Sequence, residues 1–495
     1  MNTTSRNLRP APIMRGILSV LLALVSGCLS SPSRNGIEEI GFEPPEQWSV
    51  PGVSGEAVTQ AWWMSLGSTN LANLVAEALA YNPDLEIAAA RLGAAEAEAR
   101  IAGADLTPGL GASLGASRAQ QNFIGLPIPG NNGDVLSTRF NSFGVSLTSS
   151  WELDIWGRIR SGKRAALAEL RANELAQRGA RQSIAAQSLK AWSAVIESTR
   201  QFELAQKTAS NRQATVNQVR QRYELGLRSP LDLRLAETQL ASSQAMVAVR
   251  REQRDRATRQ FETILGRYPS GTAEISGNFP NLPDGAPAGL PSELLDRRPD
   301  LAAAKKRLLA SDHRLAQARA ALFPRISLTA SGGTSTAELK DLVSSDFGVW
   351  TLAGNLSQPL LQGGRLRAGV QLARTRVQQS LAEYRKTALT AYAEVESALA
   401  AEGYARTRQA DLTEATRKAN AALDLARARY TSGVEPYLTL LESERLVYET
   451  ESQLITAGRQ RLLVRIDLHL ALGGGFHAGL NSSDAPSGLE KPNSL

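Results

Sequence analysis

Cysteine, histidine and aromatic residues are all scarce in this chain of 495 residues, with one cysteine, three histidines and 5% aromatics. A single thiol cannot close an internal disulfide. His313, His469 and His477 offer no thiol pair or clustered carboxylate triad to complete a site, so neither a metal nor another cofactor is expected. Long apolar runs are missing too. Apart from Ile17 to Val25, too short to cross a bilayer, nothing approaches the roughly 18 apolar residues of a membrane helix. If the chain crosses a membrane, strands must do it. Charge of one sign is not massed anywhere: the formal net charge of +7 comes from residues that alternate in sign along helical stretches. Solvated helix faces account for it better than a nucleic-acid footprint.

What is present begins at the N-terminus. Arg6, Arg9 and Arg15, with no acid, precede the short apolar run and then Leu24-Val25-Ser26-Gly27-Cys28. A basic region, an apolar region and small residues at a cut are the layout of a secretory signal. The Val-Ser-Gly-Cys ending resembles the lipobox of bacterial lipoproteins, which implies cleavage before Cys28 and a covalent lipid on it. Residues 1–27 are then a lipoprotein signal peptide and 28–61 an acylated linker. Removing three arginines lowers the charge from +7 to +4 (7 − 3) and leaves no free thiol.

The mature chain repeats itself. Pro83-Asp84-Leu85 recurs 216 positions later as Pro299-Asp300-Leu301, and Arg91-Leu92, Leu106 and Pro108 recur at the same offset. Further along the offset is 207: Gly157-Arg158 matches Gly364-Arg365, Arg222-Tyr223-x-x-Gly226 matches Arg429-Tyr430-x-x-Gly433, and Leu265-Gly266 matches Leu472-Gly473. Two copies of one module follow each other, at 62–268 and 297–476. The Pro-, Gly- and Asn-rich segment 269–296 is a linker, and the polar tail 477–495 is expected to be disordered.

Each copy has the same internal order. An Ala-rich helix, from about Pro83 to Asp105 in the first copy, precedes two stretches of period-two alternation of around ten residues each. These are Gly109 to Arg118 and Phe140 to Trp151, then Arg325 to Thr334 and Phe347 to Gln358. Long proline-free stretches follow, Gly157 to Tyr223 and Gly364 to Tyr430, each of which would span roughly 100 Å as one helix. The return helices carry a seven-residue seam, at Leu233, Leu240 and Val247 and again at Leu440, Val447 and Leu454. That period drives supercoiling against neighbouring helices. Four strands cannot close a membrane barrel, which needs about eight or more, so the chain must oligomerise if its strands enter the bilayer; a trimer supplies twelve.

In order, and partly twice, the chain carries Trp62-Trp63, Asn82-Pro83-Asp84-Leu85, Trp151-Glu152-Leu153-Asp154-Ile155-Trp156-Gly157-Arg158, Gln358-Pro359-Leu360, Gly363-Gly364-Arg365, Arg429-Tyr430-x-x-Gly433 and Leu470-Ala471-Leu472-Gly473-Gly474-Gly475. With these it resembles the TolC-like outer-membrane factors of tripartite export systems, in their lipid-anchored drug-efflux branch. The resemblance implies an α+β membrane protein: a homotrimer with a twelve-stranded outer-membrane β-barrel continued by a long periplasmic α-helical barrel. It further implies a periplasmic adaptor and an inner-membrane pump as partners. Leu29 after the cysteine, instead of Asp, agrees with outer-membrane sorting.

The resemblance also places a constriction in Leu438-Thr439-Leu440-Leu441-Glu442, where Leu438 and Glu442 share a helix face. Three copies would make an apolar ring and an acidic ring; relatives use aspartate where this chain has glutamate. The turns with Gly226, Leu227 and Ser229, and with Gly433, Val434 and Pro436, read as helix stops and starts. By resemblance they are also the surface an adaptor touches. Gly111-Ala112-Ser113-Leu114-Gly115 matches a hydrolase nucleophile pattern, but a mid-strand serine with no histidine partner argues against catalysis. No enzyme is expected. An exit duct for small toxic or amphipathic molecules leads, ahead of a protein-secretion outlet and of a lipoprotein that merely tethers envelope layers.

Overall fold

The computed structural model describes residues 41–50, 62–66, 69–123, 136–275, 277–282 and 289–474. Cys28 and the tail 477–495 lie outside them. Helices α1 (Thr69–Tyr81) and α2 (Pro83–Ala104) lead into strands β1 (Gly109–Phe123) and β2 (Leu136–Leu153), then helices α3 (Arg158–Glu224) and α4 (Pro230–Ile264). The second copy supplies α5 (Pro299–Ala320), β3 (Arg325–Thr336), β4 (Gly348–Ser357), α6 (Arg365–Thr431) and α7 (Tyr437–Ala471). Among the described residues, 98–168 with 308–379 make one compact unit and the remainder the other.

The first unit holds a four-stranded antiparallel sheet in the order β1-β2-β3-β4. Strands of the second copy are near the expected ten residues, at 12 and 10, but those of the first are longer, at 15 and 18. Polar residues such as Gln120, Gln121 and Arg139 hide the extension from a hydrophobic-alternation reading, although Arg139 and Gln120 pair across the ladder at 2.9 Å. The register puts Leu110, Leu114, Val145, Leu147, Trp350 and Leu352 on one face. The other face carries Ser113, Ser146, Thr148, Ser331 and Thr351. The exposed apolar face is what a lipid-facing strand requires. Below the sheet, Trp156 donates its indole N–H to the Pro324 carbonyl at 2.7 Å and stacks on Phe323. The Asp154 carboxylate accepts from the backbone N–H groups of Ile159 and Arg160, at 2.9 and 2.8 Å, capping the start of α3.

Along the helices the duplication becomes metric. Helices α3 and α6 are both 67 residues long, and α4 and α7 are both 35. At 1.5 Å per residue the longer pair measures about 100 Å each. One docking device is built twice with different side chains. Asn82 donates to the carbonyl of Ile264, the last residue of α4, at 2.9 Å; Arg298 donates to that of Ala471, the last of α7, at 3.1 Å. The glycine two residues beyond each helix end, Gly266 or Gly473, has φ of +76° or +89° and lies against the carbonyl of Tyr81 or Arg297. A left-handed turn with no Cβ is required at both places.

Helices α3 and α7 run antiparallel and are joined by a ladder of polar contacts. Lys190 pairs with Asp467, Glu197 with Arg459 at 2.9 Å, Gln201 with Ser452 at 2.9 Å, and Thr215 with Glu444 at 3.2 Å. The segment 41–50 belongs to the same unit: Trp48 donates to the Gly289 carbonyl at 3.0 Å, and Phe42 meets Tyr392 edge to face.

Candidate functional site: the helix-turn tips

Two turns join the long helices to their return helices. After α3, the Gly226 and Leu227 N–H groups donate to Tyr223 and Arg222 carbonyls at 2.9 and 2.8 Å, with Gly226 at φ +74°. After α6, Gly433 and Val434 repeat the pattern to Tyr430 and Arg429 at 3.1 and 3.0 Å. Both are Schellman-type helix stops that satisfy otherwise orphaned carbonyls. The restarts differ. Ser229 caps α4 by accepting from the Asp232 N–H at 3.2 Å, with Pro230 at the first helical position. Pro436 precedes α7 with no side-chain cap, and Glu435 is held instead by Arg429 at 3.2 Å. Leu227 and Val434, equivalent in the two copies, project outward at 68% and 66% exposure.

Between the turns, Tyr430 is clamped. Arg222 and Arg228 place their guanidinium groups 5.1 and 4.9 Å from its ring centre. The Arg222 nitrogens also donate to the carbonyls of Tyr430 and Thr431 at 2.9 and 2.7 Å. Behind them lies an apolar cluster that includes Val216, Val219, Leu423, Tyr437, Leu440 and Val447. Burial raises the phenol of Tyr437 to about 12.

That cluster fixes the rotation of α7. Leu440, Glu444 and Val447 point inward, so Leu438 and Glu442 share the opposite, exposed face, with Leu438 65% exposed. Glu442 is not a free acid: Arg445, one turn on, donates to both carboxylate oxygens at 3.1 and 2.6 Å and holds its pKa below the usual range. The Glu442 carboxylate is therefore engaged in an ion pair within its own chain. A reading that weighs Leu438 and Glu442 alone misses Arg445, although its spacing of three from Glu442 is an available signal. Glu444, two residues on, is the buried acid. It accepts from Thr215, stands 3.9 Å from Arg427 and leaves one oxygen without a partner. Burial, the largest influence, pushes its pKa up. A cavity of about 160 Å³ beside it is lined in part by Arg212, Asn420 and Tyr448.

Away from the tips, Ser113 lies mid-strand, and its hydroxyl shares a hydrogen bond of 2.8 Å with that of Ser146. This cross-strand pair accounts for the nucleophile-like motif structurally.

Comparison with known proteins places the whole arrangement. A family model described as outer membrane efflux protein matches residues 74–267 and 290–474. The chain is similar to the outer membrane protein OprJ of Pseudomonas aeruginosa, 34% identical over 94% of this chain and 96% of OprJ. It is also similar to the pyoverdine export outer membrane protein OpmQ of Pseudomonas putida, 32% identical over 89% and 93% of the two chains. Among solved structures, the open state of the Neisseria gonorrhoeae MtrE outer membrane channel superposes with a TM-score of 0.77, 29% identical over 91% of this chain and 99% of that one.

Proposed function

We propose a working scheme for this chain, which belongs to the outer membrane efflux protein family: Leu438 and Glu442 narrow its duct, the two turns meet an adaptor, and Cys28 carries a lipid. The protein is the outer-membrane channel of a tripartite efflux system, working with a periplasmic adaptor and an inner-membrane pump. It is a homotrimer whose sheets close a β-barrel continued by a periplasmic α-helical barrel. An envelope tether would have no use for a sheet with a largely apolar exposed face.

Transport through such a duct is passive, and selection among molecules rests with the pump. OpmQ is named for pyoverdine export; for this chain small toxic or amphipathic molecules are the cargo class. The tips support adaptor contact because Leu227 and Val434 offer exposed apolar side chains at equivalent positions of the two turns, on well-capped backbone. Six such side chains per trimer make a regular array for a repeated partner.

The observation that carries the gate is the exposed Leu438 close to the tip, on a helix whose other face is locked into a core. Leu438→Ala should raise single-channel conductance in planar bilayers; unchanged conductance would place the constriction elsewhere. For the anchor, Cys28→Ser should abolish incorporation of labelled fatty acid while the trimer still forms. Label retained by that variant would refute the lipid site.

A further inference from the structure

The few charges of the sheet are divided unevenly between its faces. Its strands hold four charged residues, Arg118, Arg139, Glu152 and Arg325. Cross-strand partners share a face. The pairing of Arg118 with Asn141 and of Gln120 with Arg139 therefore sets both arginines on the side of Leu114, Val145 and Trp350. Glu152 and Arg325 fall on the other side, with Ser113 and Ser331. The apolar face, which meets lipid in the closed barrel, thus carries two cations and no acid along its strands. Glu152 is engaged in any case, because Arg158 donates to both its oxygens at 3.0 and 2.9 Å.

The level of the two cations on that face is defined by what lies below them. Trp151 is on the same face near the end of β2 that leads into α3. Asn141 is ten residues back along the strand. That separation is roughly 34 Å of strand and roughly 25 Å of depth at a tilt of about 45°, the height of a barrel's apolar band. On β1 the outward residues run Leu110, Ala112, Leu114 and Ala116 before Arg118. The change from apolar to cationic falls at one level on both strands, between the pairs Ala116–Phe143 and Arg118–Asn141. Both strands join helices at their opposite ends, so with the helices in the periplasm this level is the extracellular interface.

There the ladder also narrows. Pairing of β2 with β3 ends at Phe143 and Thr336, so from Ser117 and Ser142 onward the first hairpin continues as a two-stranded ribbon. Such a ribbon is marginal in water by itself. Its lipid-facing side presents Arg118, Gln120, Arg139 and Asn141, all exposed. Arg139 donates its Nε to Gln120 at 2.9 Å, which fixes its guanidinium on that side. The second hairpin differs: β3 and β4 carry no charge beyond Arg325, and their connection holds Glu338, Asp341 and Asp346, with Glu338 paired to Lys340 at 2.7 Å.

We propose that Arg118 and Arg139 form a binding surface for the phosphate groups of an outer-leaflet glycolipid, with Asn141 beside them for its sugar hydroxyls. As diagonal neighbours on the ladder the two arginines stand about 7–8 Å apart, so one molecule bearing two phosphates can meet both. The occupant is a lipid because the cations border an apolar band that already meets acyl chains: the chains lie along Leu114 and Phe143 while the headgroup reaches the guanidinium groups. A guanidinium binds a phosphate through two parallel hydrogen bonds, which a lysine ammonium does not reproduce. The inference rests on the barrel reading given above and adds the lipid chemistry that one hairpin takes.

The test is lipid binding by the full-length trimer in detergent, read by native mass spectrometry with lipid A bearing two phosphates as the probe. Lipid A should bind the wild type, and the same lipid with its phosphates removed should bind about tenfold more weakly or worse. Arg118→Gln with Arg139→Gln should lose the same factor towards lipid A and nothing towards the dephosphorylated lipid. Arg118→Lys with Arg139→Lys keeps the charge and should fall between the two. Arg325→Gln, on the opposite face, should bind as the wild type does. A double glutamine variant that is trimeric and binds lipid A unchanged would overturn the proposal, as would equal binding of the two lipids by the wild type. Release of lipid A by millimolar inorganic phosphate would overturn the lipid surface in favour of a free-anion site. A wild-type chain that is monomeric by mass, or that does not enter bilayers, would overturn the barrel reading itself.

Discussion

Arg222 closes the end of the helix that carries Tyr430: its nitrogens donate to the carbonyls of Tyr430 and Thr431, and its charge lies over the tyrosine ring. The first copy thus caps the second copy's long helix. The duplicate residue, Arg429, instead pairs with Glu435 on its own turn. Arg222→Ala removes two charge-assisted hydrogen bonds and should cost about 2 kcal/mol locally. Amide exchange at residues 430–437 should quicken accordingly. Arg429→Ala, which breaks a half-exposed ion pair, should cost less than about 1 kcal/mol. Equal effects at the two positions would contradict the asymmetry.

The Glu442–Arg445 pair sets the charge at the proposed constriction. Arg445 also stands 3.8 Å from Glu449, so two carboxylates share one guanidinium and each chain carries one net negative charge there. Arg445→Gln should leave both carboxylates of each chain uncompensated and increase cation preference in planar bilayers. Glu442→Gln should leave Arg445 balanced by Glu449 and weaken cation preference. Both shifts should be largest at low salt, where the Debye length is longest. If neither variant changes the reversal potential, these side chains do not line the permeation path.

Gly473 has no room for a side chain. A Cβ there would sit 2.0 Å from the Arg297 carbonyl oxygen, on a backbone at φ +89°. Gly473→Ala should destabilise by at least about 3 kcal/mol through clash and strain together. Gly403, mid-helix with nothing within 4 Å of its would-be Cβ, is the contrast. Gly403→Ala should stabilise by about 0.5–1 kcal/mol through helix propensity. Thermal unfolding of the two variants should move in opposite directions.

His469 makes the second unit acid-sensitive. It is buried and stacked on Trp62 at 4.8 Å, and burial with the nearby Arg465 lowers its pKa to about 4. Because the folded value is depressed from 6.5, the neutral form's stability is fully present above pH 6.5 and is lost as the pH falls through about 4. The loss should reach about 3 kcal/mol per chain. His469→Phe keeps an aromatic partner for Trp62 and should flatten that part of the pH–stability profile. Glu444 acts in the opposite sense: its raised pKa makes the folded state less stable as the pH rises through it, so Glu444→Gln should help most at neutral pH. An unchanged profile in both variants would show that other groups govern acid stability.

Much of this architecture is legible in the sequence because the duplication prints it twice. Proline and glycine mark both turns, and proline-free stretches set the long helices to within a residue or two. The first-copy strands are underestimated, since residues such as Gln120 and Arg139 extend a ladder by backbone pairing that leaves no hydrophobic trace. At the tip, spacing places Leu438 and Glu442 on one face but does not say what surrounds them. The engagement of Glu442 by Arg445 depends on a side-chain conformation, and the burial of Glu444 depends on α3 lying across it. Arg222 is of the same kind: its motif is visible as a repeat, but its partners lie 208 and 209 positions away.

The equal lengths of α3 and α6, and of α4 and α7, have a consequence for how such a sequence can drift. Helices that share the wall of one tube cannot change length singly, because a lone insertion would carry one turn past the other and slide its whole side-chain ladder out of phase. A tolerated insertion must enter both the outgoing and the returning helix, in both copies, and in units that restore the facing surface, such as seven residues. Four simultaneous events are needed where a loop would need one. The reach of the molecule is in this sense inherited as a single indivisible quantity, and variation among descendants should collect in the turns, the linker and the strand loops instead.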